Sequence, residues 1–239
     1  MPTDDTNPAI SADEFGYAVD DSALRGDCAI WFALPPGFVE IPYDALLAES
    51  GTEQAARLIE AIGALLELVP EERQEAFVED LREARLISEL LRAEGTVHCS
   101  IGVHEGDDGA LVHSVFTIMW RETPWMPPVL GAAKAAMAVR DADTVEYADL
   151  PCGPAALTES ILRAEGREVY QATAHLAHPG GRHLAVLTLG TTAAAAHGHY
   201  RDILGAAARM VSFDNPLPES MRARIPESEV SASVRSVFG

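Results

Sequence analysis

Histidine and cysteine are the residue types of this 239-residue chain that could bind a metal ion or serve as base and nucleophile. The three cysteines, Cys28, Cys99 and Cys152, lie far apart, and no CxxC or mixed Cys/His spacing occurs. Because a disulfide framework or a zinc site needs such spacing, the sequence predicts neither. We interpret all three as small buried hydrophobic residues.

The eight histidines do not converge when they are placed on the expected elements. His98 and His104 share one strand face, whereas His113 belongs to the other. His197 and His199 are two residues apart, so their rings point apart on a helix. We expect His98 to be a half-exposed strand residue, and the sequence predicts no metal site.

Two polar turns carry further side chains that could contact ions. His178 and His183 flank one turn, and Glu105 begins an acidic loop with Asp107 and Asp108. The acidic loop lacks the ligand number and spacing of a calcium-binding EF-hand. Both turns are therefore interpreted as solvated.

Motifs of nucleophilic or nucleotide chemistry are missing from the sequence. It contains no GxSxG, HExxH, GxxxxGK[ST] or GxGxxG. A catalytic Cys99 would need a nearby base, but its neighbour His98 lies on the opposite strand face. The sequence therefore predicts no catalytic residue and no cofactor, and we expect the protein not to be an enzyme.

Tryptophan and proline mark a candidate surface for protein binding. Trp120 ends a predicted strand, and the connector that follows continues through Trp125, Met126, Pro127 and Pro128. Exposed Trp and Met are favoured at interfaces, so we predict that these five residues contact a partner. The alternative is that Trp125 folds over the core as a lid.

The formal charge of −20 restricts the class of partner. Phosphate backbones and anionic membranes would repel such a chain, so the sequence argues against nucleic acid and against membrane insertion. A protein partner is expected to present a basic patch. The first residues lack the basic and apolar regions of a signal peptide, and the protein is expected to be cytoplasmic.

The clearest structural unit lies near the carboxyl end. Strand-like runs at Val169–Ala177 and Arg182–Leu189 flank a turn centred on Pro179 and Gly180, so that Ala177 would pair with Arg182. Alternate residues of both runs are apolar and predict one core face. A helix at Ala193–Met210 follows, with Thr191 or Thr192 as its N-cap.

Upstream segments predict more strands and helices of an α+β domain. A second hairpin pairs Val103 with Leu111, and a helical hairpin is inserted before it. Ala155–Ala164 is ambiguous between strand and helix. The other predicted elements are strands at Asp27–Leu34, Val39–Pro42, Thr96–His104, Ala110–Trp120 and Thr144–Leu150, and helices at Thr52–Val69, Pro70–Ala93 and Val129–Val139.

This pattern predicts a single domain at residues 26–213. Residues 1–25 are acidic and polar, and we expect a flexible arm there. Residues 214–239 are proline-punctuated and form a C-terminal extension.

Several phrases together resemble a known fold. LPPGF, LPCGPA, a hairpin ending AVLTLGTT and the run HYRDILGAAARMVSF are similar to the Mog1/PsbP-like fold, in particular to actinobacterial proteins of the LpqN type. The resemblance implies an antiparallel sheet flanked by helices and a binding or accessory role. It supplies no catalytic residues.

Three functions are consistent with these observations. The first is a non-enzymatic protein that binds a partner protein, such as a secretion or assembly component, or a second copy of itself as a homodimer. The second is a small-ligand carrier or enzyme with a pocket between the sheet and the helical hairpin. The third is a structural subunit that docks through residues 214–239.

Overall fold

The structure is a computed structural model. It describes residues 18–19, 29–35, 37–42, 45, 48–49, 51–75, 77–78, 95–105, 111–140, 142–164 and 167–214. Most of the predicted arm, residues 79–93 of the predicted second helix of the helical hairpin, and the C-terminal extension after Asp214 lie outside these residues. The described start of that second helix is a 3-10 turn at Glu71–Arg73, which follows Pro70. Two residues of the arm, Ala18–Val19, form strand β1, which pairs with β2 at Ala33–Leu34.

Among the described residues, seven strands form one antiparallel sheet in the order β3-β4-β5-β9-β8-β7-β6. The predicted α+β class, an antiparallel sheet flanked by helices, is confirmed. Ala155–Ala164, ambiguous in the sequence, belongs to a strand. The strands are β3 Phe38–Glu40, β4 Thr96–Glu105, β5 Leu111–Glu122, β6 Thr144–Leu150, β7 Gly153–Ala164, β8 Arg167–Ala177 and β9 His183–Thr191.

Three α-helices flank the sheet in the described part of the chain: α1 Glu53–Leu68, α2 Pro128–Met137 and α3 His197–Arg209. Thr52 caps α1 by accepting a hydrogen bond from the backbone N–H of Ala55. Helix α3 begins later than predicted, because a 3-10 turn at Ala194–Ala196 precedes it. The predicted cap Thr191 ends β9 instead and accepts from the N–H of Ala193.

The main core lies between α3 and the central strands. Alternate residues of β8 and β9 fill it, as their spacing predicts. On α3, Tyr200, Leu204 and Ala207 are buried, but Met210 is 37% exposed just after the end of the helix. The buried strand residues of this core include Tyr170, Ala172, Ala174, Leu176, Ala185, Leu187 and Leu189.

The opposite face of the sheet is covered by two helices at different places. Leu65 of α1 packs with Val103 of β4, whereas Ala132 of α2 packs with Ala156 of β7. Hydrogen bonds between Trp31 and Ser212, at 2.9 and 2.8 Å, join the segment before β2 to the segment after α3.

Both predicted hairpin registers were wrong by two residues. Ala177 pairs with Leu184 rather than Arg182, and Val103 pairs with His113 rather than Leu111. A shift of two leaves every side chain on its predicted face, because the side-chain repeat of a strand is two. Pro179 and Gly180 do form the centre of the turn, since the N–H of Gly181 donates to the carbonyl of His178 at 2.9 Å.

Candidate functional site

The connector from Thr123 to Pro127 is fastened to the β8–β9 turn by backbone hydrogen bonds. The N–H of Thr123 donates to the carbonyl of Arg182 at 2.8 Å, and that of Met126 donates to Gly181 at 3.0 Å. Gly181 has φ +68°, and a Cβ there would lie 2.3 Å from the carbonyl oxygen of Met126. Only glycine allows this approach, and these contacts set the position at which α2 begins.

The five residues predicted to contact a partner differ in their exposure. Trp120 is half-buried and stacks on His183 at 5.0 Å, with an angle of 9° between the rings. Trp125 is 64% exposed. Pro127 is exposed and Met126 half-buried, and Pro128 is the first residue of α2, where its missing N–H costs nothing.

Helix α2 turns its small residues inward and its large apolar residues outward. Ala132 and Ala136 are each 1% exposed and face the sheet. Val129 is 62%, Leu130 58% and Met137 79% exposed. An ordinary surface helix has a polar outer side, so a helix that is apolar on both sides has the composition of a buried helix.

The edge strand β6 extends this apolar area. Gly131, Lys134 and Ala138 line a cleft on the flank of α2 toward β9 and β5. The opposite flank, with Val129 and Met137, therefore faces β6, where Val145 is 44% and Tyr147 57% exposed. We call the exposed residues Trp125, Val129, Leu130, Met137, Val145 and Tyr147 the α2–β6 surface.

Acidic residues lie in and beside β6, but they belong to different faces of the sheet. Asp149 is exposed at the end of β6. Glu146 is bound by Arg201 of α3, and Asp143 accepts a hydrogen bond from the N–H of Ile161 at 3.1 Å. Glu146 alternates with Val145 and Tyr147 and therefore points to the α3 face of β6, so Asp149 is the acid of β6 that lies on the same face as these apolar side chains.

The cleft beside α2 has a volume of about 360 Å³. Its floor is the ends of β5, β8 and β9, and its wall is α2. Arg121, Glu122 and Lys134 are its charged lining groups, and Met126 and Leu184 are among its apolar ones. The cleft lies beside α2, and the pocket predicted between the sheet and the helical hairpin stays a prediction, because residues 79–93 of that hairpin lie outside the described residues.

The histidines do not assemble a site in the described part of the chain. His98 is 2% exposed, so the predicted half-exposed position was wrong, because Phe32 and Phe116 pack on its ring at 4.8 and 5.9 Å. His175 is 5% exposed and lies 3.4 Å from the hydroxyl of Thr158. Within the described ranges, no group of three or more His, Cys, Asp or Glu residues could hold a metal ion.

The two described cysteines have thiols of low reactivity. Burial, with a smaller contribution from Glu40, raises the pKa of Cys99 to about 12. Burial also raises the pKa of Cys152. Because the thiolate is the nucleophile, neither is activated at neutral pH.

The sequence did not predict a polar cluster around Glu159, which lies on the face of the sheet that packs against α3. Its carboxylate accepts hydrogen bonds from Tyr170 at 2.6 Å and Thr144 at 2.8 Å, and Arg201 lies 3.5 Å away. Burial would raise the pKa of Glu159, but these hydrogen bonds and the charge of Arg201 outweigh it and hold the pKa below its usual value. The available signal in the sequence was that Glu159 stands between Leu157 and Ile161 on one face of β7, where an apolar residue would be expected.

No protein-family model matches the chain, and no curated protein is significantly similar to it. Among the described residues, no helix combines the length and the apolar character required to cross a bilayer.

Proposed function

We propose that this protein is a non-enzymatic, cytoplasmic adaptor or assembly protein that binds a partner protein through the α2–β6 surface. The observation that carries the proposal is the inverted pattern of α2. Leu130 and Met137 point to solvent, although alanines fill the side that faces the sheet. Contiguous exposed apolar area of this kind is typical of protein interaction sites.

Charge selects the kind of partner. A second copy of this chain would bring a further net charge of −20 to the interface, whereas a partner with a basic rim would neutralise Asp149 at the border of the surface. Complementary charge also accelerates association. We therefore propose a different protein whose apolar contact area is bordered by Lys and Arg.

Trp125 and Leu130 are the expected anchors of this interface. Trp125 packs against the glycine turn, with its indole nitrogen 3.2 Å from where a Cβ on Gly181 would lie. The ring is thus held in place by the turn while 64% of the residue remains exposed. A preorganised aromatic side chain loses little entropy on binding, which favours it as a hot spot.

Site-specific crosslinking tests the proposal. A photo-crosslinking amino acid at position 130 should capture one partner in the host cell, whereas the same group at position 59 should not. Ile59 is the matched control, because it is 71% exposed on α1. The captured protein is then purified and its affinity is measured by calorimetry.

Leu130→Asp should weaken that affinity at least about tenfold, and Ile59→Asp should leave it unchanged. Binding should also weaken as salt is added. Equal effects of the two variants would refute the α2–β6 surface. A homodimer that Leu130→Asp dissociates, detected by light scattering, would refute the basic partner.

We also propose that the chain has the Mog1/PsbP-like fold. The proposal is supported by the antiparallel sheet and by the succession of β8, β9 and α3 in the segment that carries the resembling phrases. An experimentally determined structure whose strand order differs from that fold would contradict it.

A further inference from the structure

The cleft beside α2 lies on the flank of the helix opposite Val129 and Met137, and no residue of the α2–β6 surface lines it. Its walls are preformed, because the hydrogen bonds of Thr123 and Met126 to the β8–β9 turn hold the connector in place. The same turn contributes Gly181 to the lining, and Leu184 and Ala177 form part of the floor. Its volume of about 360 Å³ falls in the range of small-molecule sites, about 300–1,000 Å³.

The charge of the cleft is opposite to that of the protein. Arg121 and Lys134 contribute two positive charges to the lining and Glu122 one negative charge, a balance of +1, whereas the whole chain carries −20. Lys134 is the only lysine of the sequence. It forms no ion pair with any residue that the structure describes.

The remaining lining is largely apolar. Pro124, Met126, Leu184 and Ala135 present carbon and sulfur atoms to the space between α2 and the sheet. A ligand that fills the cleft would bury an apolar body against them and place a polar group near the cations. A cationic ligand is disfavoured, because Arg121 and Lys134 would repel it.

We infer that the cleft binds a small organic anion with an apolar body, whose carboxylate or phosphate group contacts Lys134 and Arg121. A neutral molecule of the same shape gains only the apolar contacts. The charged group adds hydrogen bonds to charged donors, which stabilise more than bonds between neutral groups.

The test uses four probes that share an octyl chain: octanoate, octyl phosphate, 1-octanol and octylammonium. Titration calorimetry on the full-length protein should show octanoate binding at least about tenfold more tightly than 1-octanol, and octylammonium binding no more tightly than 1-octanol. Tighter binding of octyl phosphate than of octanoate would assign the site to phosphates, and the reverse to carboxylates.

Two variants of α2 and one control locate the binding. Lys134→Gln should weaken octanoate about tenfold and leave 1-octanol unchanged. Ala138→Leu, on the cleft flank, should weaken both. Arg140→Gln is the matched control, because Arg140 follows α2 but does not line the cleft, and it should change neither affinity.

Two results would overturn the inference. One is that neither anion binds more tightly than 1-octanol. The other is that octanoate binds Lys134→Gln and Ala138→Leu as tightly as it binds the unaltered protein, while circular dichroism shows both variants to be folded. Leu130→Asp serves as a second control, and octanoate should bind it normally, since Leu130 lies outside the cleft.

Discussion

Glu159 is the residue at which the polar contacts between α3 and the sheet converge. Its carboxylate is held by Tyr170 and Thr144 and faces Arg201. Tyr170 is only 2% exposed, so its hydroxyl has little access to water when Glu159 is protonated or removed. This cluster fixes α3 relative to β6, β7 and β8.

Tyr170→Phe should lower the free energy of unfolding at pH 7 by about 1–3 kcal/mol, since it removes a hydrogen bond to a charged group. Urea denaturation measures the change, with Tyr147→Phe on the exposed side of β6 as a control of little effect. The folded pKa of Glu159 is depressed, so its contribution is present above the unfolded pKa and is lost as pH falls through the folded one. The difference between wild type and variant should therefore shrink in acid; a constant difference would exclude the Glu159 contact as its cause.

The burial of His175 predicts a further loss of stability as the pH falls into the mildly acidic range. Burial lowers its pKa from 6.5 to about 4, so between these values the unfolded chain binds a proton that the folded protein does not. Stability then falls as pH falls from 6.5 to 4, by about 3 kcal/mol in total from this group. His175→Gln should flatten that part of the stability curve measured by urea denaturation. His199→Gln, exposed on α3, should leave it unchanged, and equal curves for His175→Gln and wild type would contradict the assignment.

The single residues illustrate what a sequence can and cannot show. Burial of Cys99 followed from its place in an apolar strand. Burial of His98 did not, because Phe32, which packs on its ring, lies far away in the sequence and reaches it only in the folded sheet. The same holds for Trp120, whose stacking partner His183 is on β9.

At the scale of elements, the β8–β9 turn and the connector form one unit through Gly181. Gly181→Ala should destabilise the protein by more than about 1 kcal/mol, because the added Cβ would lie 2.3 Å from the carbonyl oxygen of Met126 at φ +68°. Thermal unfolding followed by circular dichroism measures this. Gly198→Ala is the control, since nothing lies within 4 Å of its Cβ position in α3, and it should be neutral or stabilising. Similar losses from both substitutions would show that Gly181 is not under special constraint.

Element boundaries were predicted well where local signals are strong. Thr144–Leu150 agrees with the structure residue for residue, and the helix predicted from Thr52 begins at Glu53 with Thr52 as its cap. The predicted register of the β8–β9 hairpin failed because Gly181 and Arg182 accept hydrogen bonds from the connector with their carbonyl groups, which lengthens the loop beyond the turn itself. These hydrogen bonds are tertiary contacts with the connector, and the sequence of the hairpin does not indicate them.

The α2–β6 surface was partly predicted. Trp125 was identified as a contact residue from its place among prolines on the connector. The contribution of Val145 and Tyr147 was not, because it depends on β6 being the edge strand of the described sheet. The pairing of β5 with β9 joins two strands that are far apart in the sequence, and local sequence patterns do not specify it.

For the whole molecule, the large negative charge destabilises the folded state. Compaction of a chain with net charge −20 brings like charges together, and salt screens their repulsion. The screening length falls from about 30 Å at 0.01 M to about 8 Å at 0.15 M ionic strength. The melting temperature should therefore rise over this range of sodium chloride, although the contacts of Arg201 with Glu146 and Glu159 are weakened slightly.

A charge-reduced variant tests this explanation. Six exposed acids on and after α1 are replaced by glutamine, which changes the formal charge from −20 to −14. Its melting temperature in 0.01 M salt should exceed that of the wild type, and its dependence on salt should be smaller, because less repulsion remains to be screened. Differential scanning calorimetry at both ionic strengths measures both quantities. A melting temperature that falls with salt in the wild type would instead show that attractive ion pairs dominate. The substituted residues are Glu53, Glu60, Glu67, Glu71, Glu72 and Glu75.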